Sequence, residues 1–234
     1  HCHNMLSPIK TLRNIAGRGL VYLQRYSADY FFACSRAAGI QQFGSKVDIR
    51  FLPNGIDTDR YFFRPEIRRA IRESKGITSD NTLVVGHVGQ LYEVKNHKFL
   101  VDVFRKLHET VPNSKLWLIG RGELEEDIRA QVHSYGLDDC VDFIGTVGNV
   151  NEYLMGMDVF AFPSIREGLG IALIEAQSAG LPCVVSDGIP DEAIVTDRVQ
   201  KFPIINSQDN ISRWANSIIQ AANIKKHRED YSQK

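Results

Sequence analysis

The sequence has few cysteines, no long apolar run and no excess of either charge. Its four cysteines are widely separated and form no CxxC pair, so we expect neither a zinc site nor a disulfide framework. Lys and Arg together number 28, as do Asp and Glu, so bulk charge gives no reason to expect nucleic acid as a partner. No apolar run reaches the roughly 18–20 residues that a membrane span needs. These features predict a globular protein of the reducing cytoplasm.

Both ends of the sequence predict a piece of a longer protein. It begins HCHN without an initiator Met and ends HREDYSQK in helix-like sequence. Residues 8–26 mix basic and apolar positions at helical spacing. Such a helix can lie on a membrane surface, which would give peripheral contact with the inner face of the membrane. Packing of its apolar face on its own domain explains the pattern equally well.

Most of the chain alternates apolar strands with helices. A strand over 28–34, a helix capped by Ser35 and a strand ending at the PNG turn of 53–55 come first. This turn predicts a domain boundary, with one partial domain over 1–55 and a second domain over 56–234. Continuously apolar strands are typical of a parallel sheet covered on both faces, so the second domain is predicted to be a doubly wound, Rossmann-like α/β domain. The strands are expected at 82–89, 114–120, 140–145, 158–162, 182–186 and 201–205, and the helices at 97–110, 123–136, 149–156, 170–179 and 210–222.

The stretch 163–190 is the strongest candidate site. Ligands of doubly wound sheets bind at the carboxyl ends of the strands, where this stretch begins. Glu167 precedes a glycine turn, and the amides of Gly168, Leu169 and Gly170 lead into a helix. Free amides at a helix N-terminus bind anions. We therefore predict a phosphate site here.

Glu175 lies in an apolar helix, GIALIEAQSAG, where burial of an unpaired carboxylate would be costly. One interpretation is that it faces the ligand, because a carboxylate can accept hydrogen bonds from both ribose hydroxyls. The other is that it shares a narrow exposed stripe with Ser178. The residues alone leave both open.

Other strand ends carry weaker signals. Gly89 and Gln90 follow the first strand of the second domain, and Lys95 comes shortly after, which is a phosphate-binding pattern if Lys95 is not simply a surface residue. Gly120-Arg121-Gly122 is only part of a dinucleotide fingerprint, so a nicotinamide oxidoreductase is disfavoured. Backbone near Ile144 could pair with a base edge or could be an ordinary strand end.

Six motifs follow one another along the chain: FLPNGID, GQLYEVKNH, LIGRGE, DFIGTV, DVFAFPS and REGLGIALIEAQSAGLPCVVSD. Taken together, they resemble the retaining family-four glycosyltransferases of the GT-B fold, especially bacterial exopolysaccharide and capsule enzymes. Their order and spacing match over residues 30–222. The resemblance implies two Rossmann-like domains facing a cleft, with the donor nucleotide sugar on the C-terminal one. It implies transfer from a UDP- or GDP-sugar to a glycan or lipid-linked acceptor with retention, without a cofactor or an active-site metal.

The resemblance also implies roles for individual residues. Glu167 would reach the transferred sugar and Lys95 would neutralise the pyrophosphate leaving group. Glu175 would bind the donor ribose, and the backbone around Ile144 would contact the base. The glycine-turn amides of 168–170 would serve sugar and phosphate.

At two places the sequence departs from the family or is too short to decide. Gln90 stands where the family usually has Arg after the glycine turn at Gly89, so another cation, Arg121 or Arg166, is expected to assist the diphosphate. The opening HCHN resembles a segment whose His lines the donor-sugar site, which would make His1 or His3 that residue. A nucleotide-sugar-binding remnant without catalysis and a GT-B-like sugar-nucleotide epimerase remain alternatives.

Overall fold

The computed structural model describes residues 28–52 and 54–223, which form two parallel sheets. The smaller sheet pairs β1 (Phe31–Ala33) with β2 (Ile49–Phe51), and helix α1 (Arg36–Phe43) connects them. Ser35 caps α1, since its hydroxyl oxygen accepts the amide of Ala38 at 3.2 Å. The sequence predicted this strand–helix–strand unit correctly. The expected helix at 8–26 and the His1 and His3 candidates lie outside the described residues.

The larger sheet has six parallel strands in the order β5-β4-β3-β6-β7-β8. From β3, the next strands in sequence, β4 and β5, are added toward one edge of the sheet. From β6, the strands β7 and β8 are added toward the other edge, so the strand order reverses between β3 and β6. The predicted doubly wound, Rossmann-like sheet is therefore confirmed. Its strands are β3 (Leu83–Val88), β4 (Ser114–Ile119), β5 (Val141–Gly145), β6 (Val159–Phe162), β7 (Cys183–Ser186) and β8 (Val199–Phe202).

Helices cover both faces of this sheet. Alternate residues of each strand point to opposite faces: Val85 belongs to one buried cluster, whereas Val84 belongs to the other. This is why the strands carry no polar–apolar alternation. The helices are α2 (Pro65–Ser74), α3 (His97–Thr110), α4 (Glu125–Ser134), α5 (Val150–Gly156), α6 (Ile171–Ser178) and α7 (Gln208–Asn223).

Helix α2 was not predicted, although Pro65 at its first turn was a readable start signal. Its basic residues reach across to the start of β6. Arg68 and Arg72 donate to opposite oxygens of Asp158 at 2.7 and 3.2 Å, and the second of these oxygens also accepts the amide of Val84 at 2.8 Å. Asp158 therefore ties the helix to the sheet. The last strand also lies earlier than predicted, because Pro203 cannot donate to a ladder.

Candidate functional site: the crevice between β3 and β6

The two loops that leave β3 and β6 meet at the point where the strand order reverses. The amide of Ile165 donates to the carbonyl of Val94 at 2.8 Å, which joins the loops through their backbones. Beside this bond, Nζ of Lys95 donates to Oε1 of Glu167 at 2.6 Å. The structure therefore brings together two predicted site residues that are 72 positions apart.

Lys95 and Glu167 form a partly buried ion pair. Their side chains are 19% and 11% exposed, so the pair is largely shielded from water. The Lys95 ammonium also lies 5.1 Å from the centre of the Phe162 ring. A cation held beside a carboxylate in a crevice can exchange that partner for an anionic ligand.

The glycine turn lies next to this pair. Gly170 has φ 80° and ends the turn in a left-handed conformation, from which α6 begins. A side chain added at Gly170 would come within 3.7 Å of Cγ of Glu167. Within the described part of the chain, no hydrogen bond from the amides of Gly168, Leu169 or Gly170 to another backbone or side-chain group is found. These buried amides are suited to an anion.

Ser35 fixes the other side of the turn. Its hydroxyl, besides capping α1, donates to the carbonyl of Gly168. Ser35 is buried, and its neighbours Cys34 and Ala38 belong to the same apolar cluster as Leu169. The smaller sheet is thus packed against the turn of the larger one. This contact spans 133 positions and carried no signal in the sequence.

Glu175 is half-buried and hydrogen-bonded. Its Oε1 accepts the hydroxyl of Tyr61 at 2.6 Å. Tyr61 is the last residue of a 3₁₀ turn (Thr58–Tyr61) and is itself buried. Burial, and then the hydrogen bond to Glu175, raise the pKa of Tyr61, so its hydroxyl stays protonated. The cost of placing Glu175 in an apolar helix is thereby reduced, which the sequence did not reveal.

Gly120 and Gly122 prove to be needed for close packing of loops. A side chain at Gly120, where φ is 137°, would approach the carbonyl oxygen of Gly89 to 2.1 Å. One at Gly122 would approach that of Leu91 to 2.5 Å. Gly89 in turn donates to the carbonyl of Ile119 at 2.9 Å. The loops after β3 and β4 are therefore held together, and they leave Gln90 exposed at the rim.

Arg121 follows β4, and its side chain lies against the end of β5. A side chain at Gly145 would meet its guanidinium Nε at 3.3 Å. Ile144 is partly buried against the core, and the carbonyl of Gly145 accepts the amide of Gly120 at 2.9 Å. The structure thus joins Arg121 to the Ile144 segment and joins Lys95 to Glu167.

Two buried histidines stand beneath the Gly89 loop and were missed in the sequence. The rings of His87 and His97 meet edge to face with centroids 4.5 Å apart. Nδ1 of His87 donates to the carbonyl of Ala161 at 2.9 Å. Burial holds the pKa of both rings below their usual range, and repulsion from Lys95 adds to it. A histidine inside an apolar strand, GHVG, was the only available signal.

The described residues contain no group of three or more His, Cys, Asp or Glu side chains arranged to hold a metal ion. None of their helices has the length and apolarity required to cross a membrane.

Comparison with known proteins identifies the family. A profile described as "Glycosyl transferases group 1" matches residues 68–234. The chain belongs to this family. Among curated group 1 relatives, it is 36% identical over 196 residues to "Putative glycosyltransferase EpsF" of Bacillus subtilis, covering 81% of this chain and 50% of the relative.

A second relative, 28% identical over 181 residues, is named "UDP-Gal:alpha-D-GlcNAc-diphosphoundecaprenol alpha-1,3-galactosyltransferase" from Escherichia coli; the match covers 76% of this chain and 46% of that protein. The chain thus spans about half the length of the curated relatives it matches. Among solved structures, Anabaena Alr3699/HepE in complex with UDP-glucose superposes with a TM-score of 0.82 at 24% identity, covering 100% of this chain and 65% of that one. This likeness shows the fold alone, and that fold is the GT-B fold that the resemblance had implied.

Proposed function

We propose that the chain forms the donor-binding part of a glycosyltransferase that moves a sugar from a UDP-sugar to a glycan or lipid-linked acceptor with retention. The observation that carries the proposal is the ion pair between Lys95 and Glu167, whose Nζ and Oε1 atoms are 2.6 Å apart. The pair lies next to the glycine turn, whose amides have no hydrogen-bond partner among the described residues. A cation, a carboxylate and a helix N-terminus converge at the crevice where doubly wound sheets bind their ligands.

The diphosphate of the donor would lie between Lys95 and the N-terminus of α6. As the bond to the sugar breaks, negative charge builds up on the leaving phosphate, and preorganised donors stabilise it. Lys95 provides a full charge, and Gly168, Leu169 and Gly170 provide amides. Arg121, at the end of β5, and Gln90, at the rim, line the path toward the nucleoside. We propose that these groups, without an active-site metal, balance the diphosphate charge.

The two glutamates would divide the remaining parts of the donor. Glu167 stands beside the cation that holds the phosphate, which suits it to contact hydroxyls of the transferred sugar. Glu175, which lies within α6, would accept hydrogen bonds from the ribose. The base would lie at the ends of β4 and β5, against the backbone near Ile144.

The acceptor side would be built by the domain to which residues 1–55 belong, with 56–234 as the donor domain. In β1, at the end of β2 and directly after it, the apolar side chains of Phe32, Phe51 and Leu52 are exposed. The lipid-linked substrate in the name of the Escherichia coli relative supports a lipid-linked acceptor, and we propose a role in surface polysaccharide synthesis. Such an acceptor would place the protein at the cytoplasmic face of the membrane.

Calorimetric titration of the full chain with UDP and with uridine tests the donor assignment. Lys95→Met should weaken UDP binding on the order of tenfold, because a hydrogen bond between charged groups is lost, and should leave uridine binding unchanged. Lys98→Met is the matched control, since Lys98 is exposed and paired with Asp127 instead. Equal losses for UDP and uridine would remove Lys95 from the diphosphate site.

The reaction itself is tested with the donor sugar and a lipid-linked acceptor. The anomeric configuration of the product, read by NMR, should match that of the donor, and chelation with EDTA should leave the rate unchanged. Inversion or loss of activity with EDTA would contradict those parts of the proposal. Donor turnover without any acceptor would favour an epimerase, and tight GDP binding in place of UDP would change the nucleotide.

A further inference from the structure

Tyr61 lies where the smaller sheet leads into the larger one, and its hydroxyl reaches the glutamate assigned to ribose. The bond from Tyr61 to Oε1 of Glu175 is 2.6 Å long and joins residues 114 positions apart. We propose that Tyr61 is a positioning residue that holds the Glu175 carboxylate in the orientation required to bind the ribose of the donor. This inference rests on the proposed function.

The position of Tyr61 is fixed from several sides. The 3₁₀ turn that carries it contacts both α5 and α6. Nδ2 of Asn151 on α5 donates to the carbonyl of Arg60 at 3.1 Å, which anchors the turn by its backbone. The Tyr61 ring lies in the apolar cluster that also contains Leu173 of α6. The hydroxyl is thus presented to Glu175 from a packed support.

The hydrogen bond leaves the carboxylate able to bind a second ligand. An ionised carboxylate has about four acceptor sites, and one hydroxyl uses one of them. Without Tyr61, Glu175 would be free to change rotamer, and ordering it would oppose binding. With the bond in place, Oε2 and the remaining site on Oε1 are held in one direction. Vicinal ribose hydroxyls require this kind of fixed, two-oxygen acceptor.

A purely structural role is the alternative, in which the bond only satisfies two partly buried groups. The two roles differ in one respect: a positioning role depends on the ribose hydroxyls, whereas a structural role does not. Tyr61→Phe removes the hydroxyl and keeps the ring. Tyr135→Phe is the matched control, because its hydroxyl also donates to a carboxylate, Asp102 of α3, at 2.7 Å, and neither residue belongs to the proposed donor site.

The experiment compares UDP with 2′,3′-dideoxy-UDP by calorimetry on the full chain. Tyr61→Phe is expected to weaken UDP binding by about three- to tenfold, below the full loss of a hydrogen bond to a charged group, because its effect is indirect. It should leave binding of the dideoxy analogue unchanged. In a Glu175→Gln background, the same substitution should have no ribose-dependent effect. Tyr135→Phe should alter neither affinity.

The outcomes separate this inference from the function on which it rests. If Tyr61→Phe loses the same affinity for both nucleotides, or loses none for either, the role of Tyr61 is overturned. UDP binding by the wild type would still support the donor site in that case. A folded wild-type chain that does not bind UDP would overturn the proposed function and this inference with it. A melting curve for each variant confirms that the compared samples are folded.

Discussion

Acid should unfold this protein through the two histidines that lie beneath the crevice. His87 and His97 are 0% and 2% exposed, and three of their four ring nitrogens have no hydrogen-bond partner among the described residues. The fourth, Nδ1 of His87, must carry a proton because it faces the carbonyl of Ala161. A second proton on either ring would be buried without an acceptor. Both rings are therefore neutral in the folded protein.

The sign and size of the effect follow from the pKa values. Burial, with repulsion from Lys95, lowers the pKa of His97 to about 3, and burial lowers that of His87 well below its usual value. In the unfolded chain a histidine has a pKa of about 6.5. Between these values the unfolded chain binds protons that the folded one does not, so stability present above pH 6.5 is lost as the pH falls. Each histidine contributes a slope of about 1.4 kcal/mol per pH unit.

His97→Leu is the perturbation that isolates one of the two contributions. Leucine has a similar volume and does not titrate, so the variant should lose less stability in acid than the wild type. Between pH 6 and 4.5 the free energy of unfolding of the wild type should fall by about 2 kcal/mol more than that of the variant. Urea unfolding at each pH, followed by fluorescence of the buried Trp117 and Trp214, measures it.

A control and a refuting result complete the test. His133→Gln replaces a histidine whose side chain is 82% exposed, and its stability should follow that of the wild type at every pH. The test compares how the free energy of unfolding changes with pH, because repacking around the new leucine also changes the absolute stability of His97→Leu. Parallel pH profiles for wild type and His97→Leu would refute the reasoning.

Two further predictions concern charged pairs. Asp158→Asn leaves Arg72 buried without its counter-charge and should cost about 3–5 kcal/mol of unfolding free energy in urea titrations, whereas Asp127→Asn at an exposed pair should cost less than about 1 kcal/mol. A small effect at Asp158 would mean that the helix α2 contact contributes little. Glu167→Gln releases Lys95 from a carboxylate, so UDP affinity measured by calorimetry should rise about threefold or more. A fall in affinity would instead assign Glu167 to the nucleotide itself.

The sequence was informative where local patterns decide the structure. Helix α3 begins and ends where its apolar spacing predicted, and the strands of the larger sheet were found within two residues of their bounds, except β8. Helix α2 was not predicted, because only a domain boundary was inferred from the PNG turn that precedes it. The glycines at 120 and 122 resembled part of a dinucleotide fingerprint, but their reason is the close approach of two backbones. Such an approach involves two distant loops, so one loop's sequence does not reveal it.

The sequence by itself therefore determined the class of fold and the residues available for chemistry, since period, turn residues and motif order are local properties. The tertiary structure decided which of those residues meet. It placed Lys95 on Glu167, Tyr61 on Glu175 and Ser35 on Gly168, across separations of 72, 114 and 133 positions. The Lys95–Glu167 contact arises because the carboxyl ends of parallel strands gather at one edge of the sheet. The other two arise because the smaller sheet packs on the glycine turn and the 3₁₀ turn packs on α6. Each of these contacts depends on the packing of segments that are distant in sequence, and no single stretch of sequence specifies that packing.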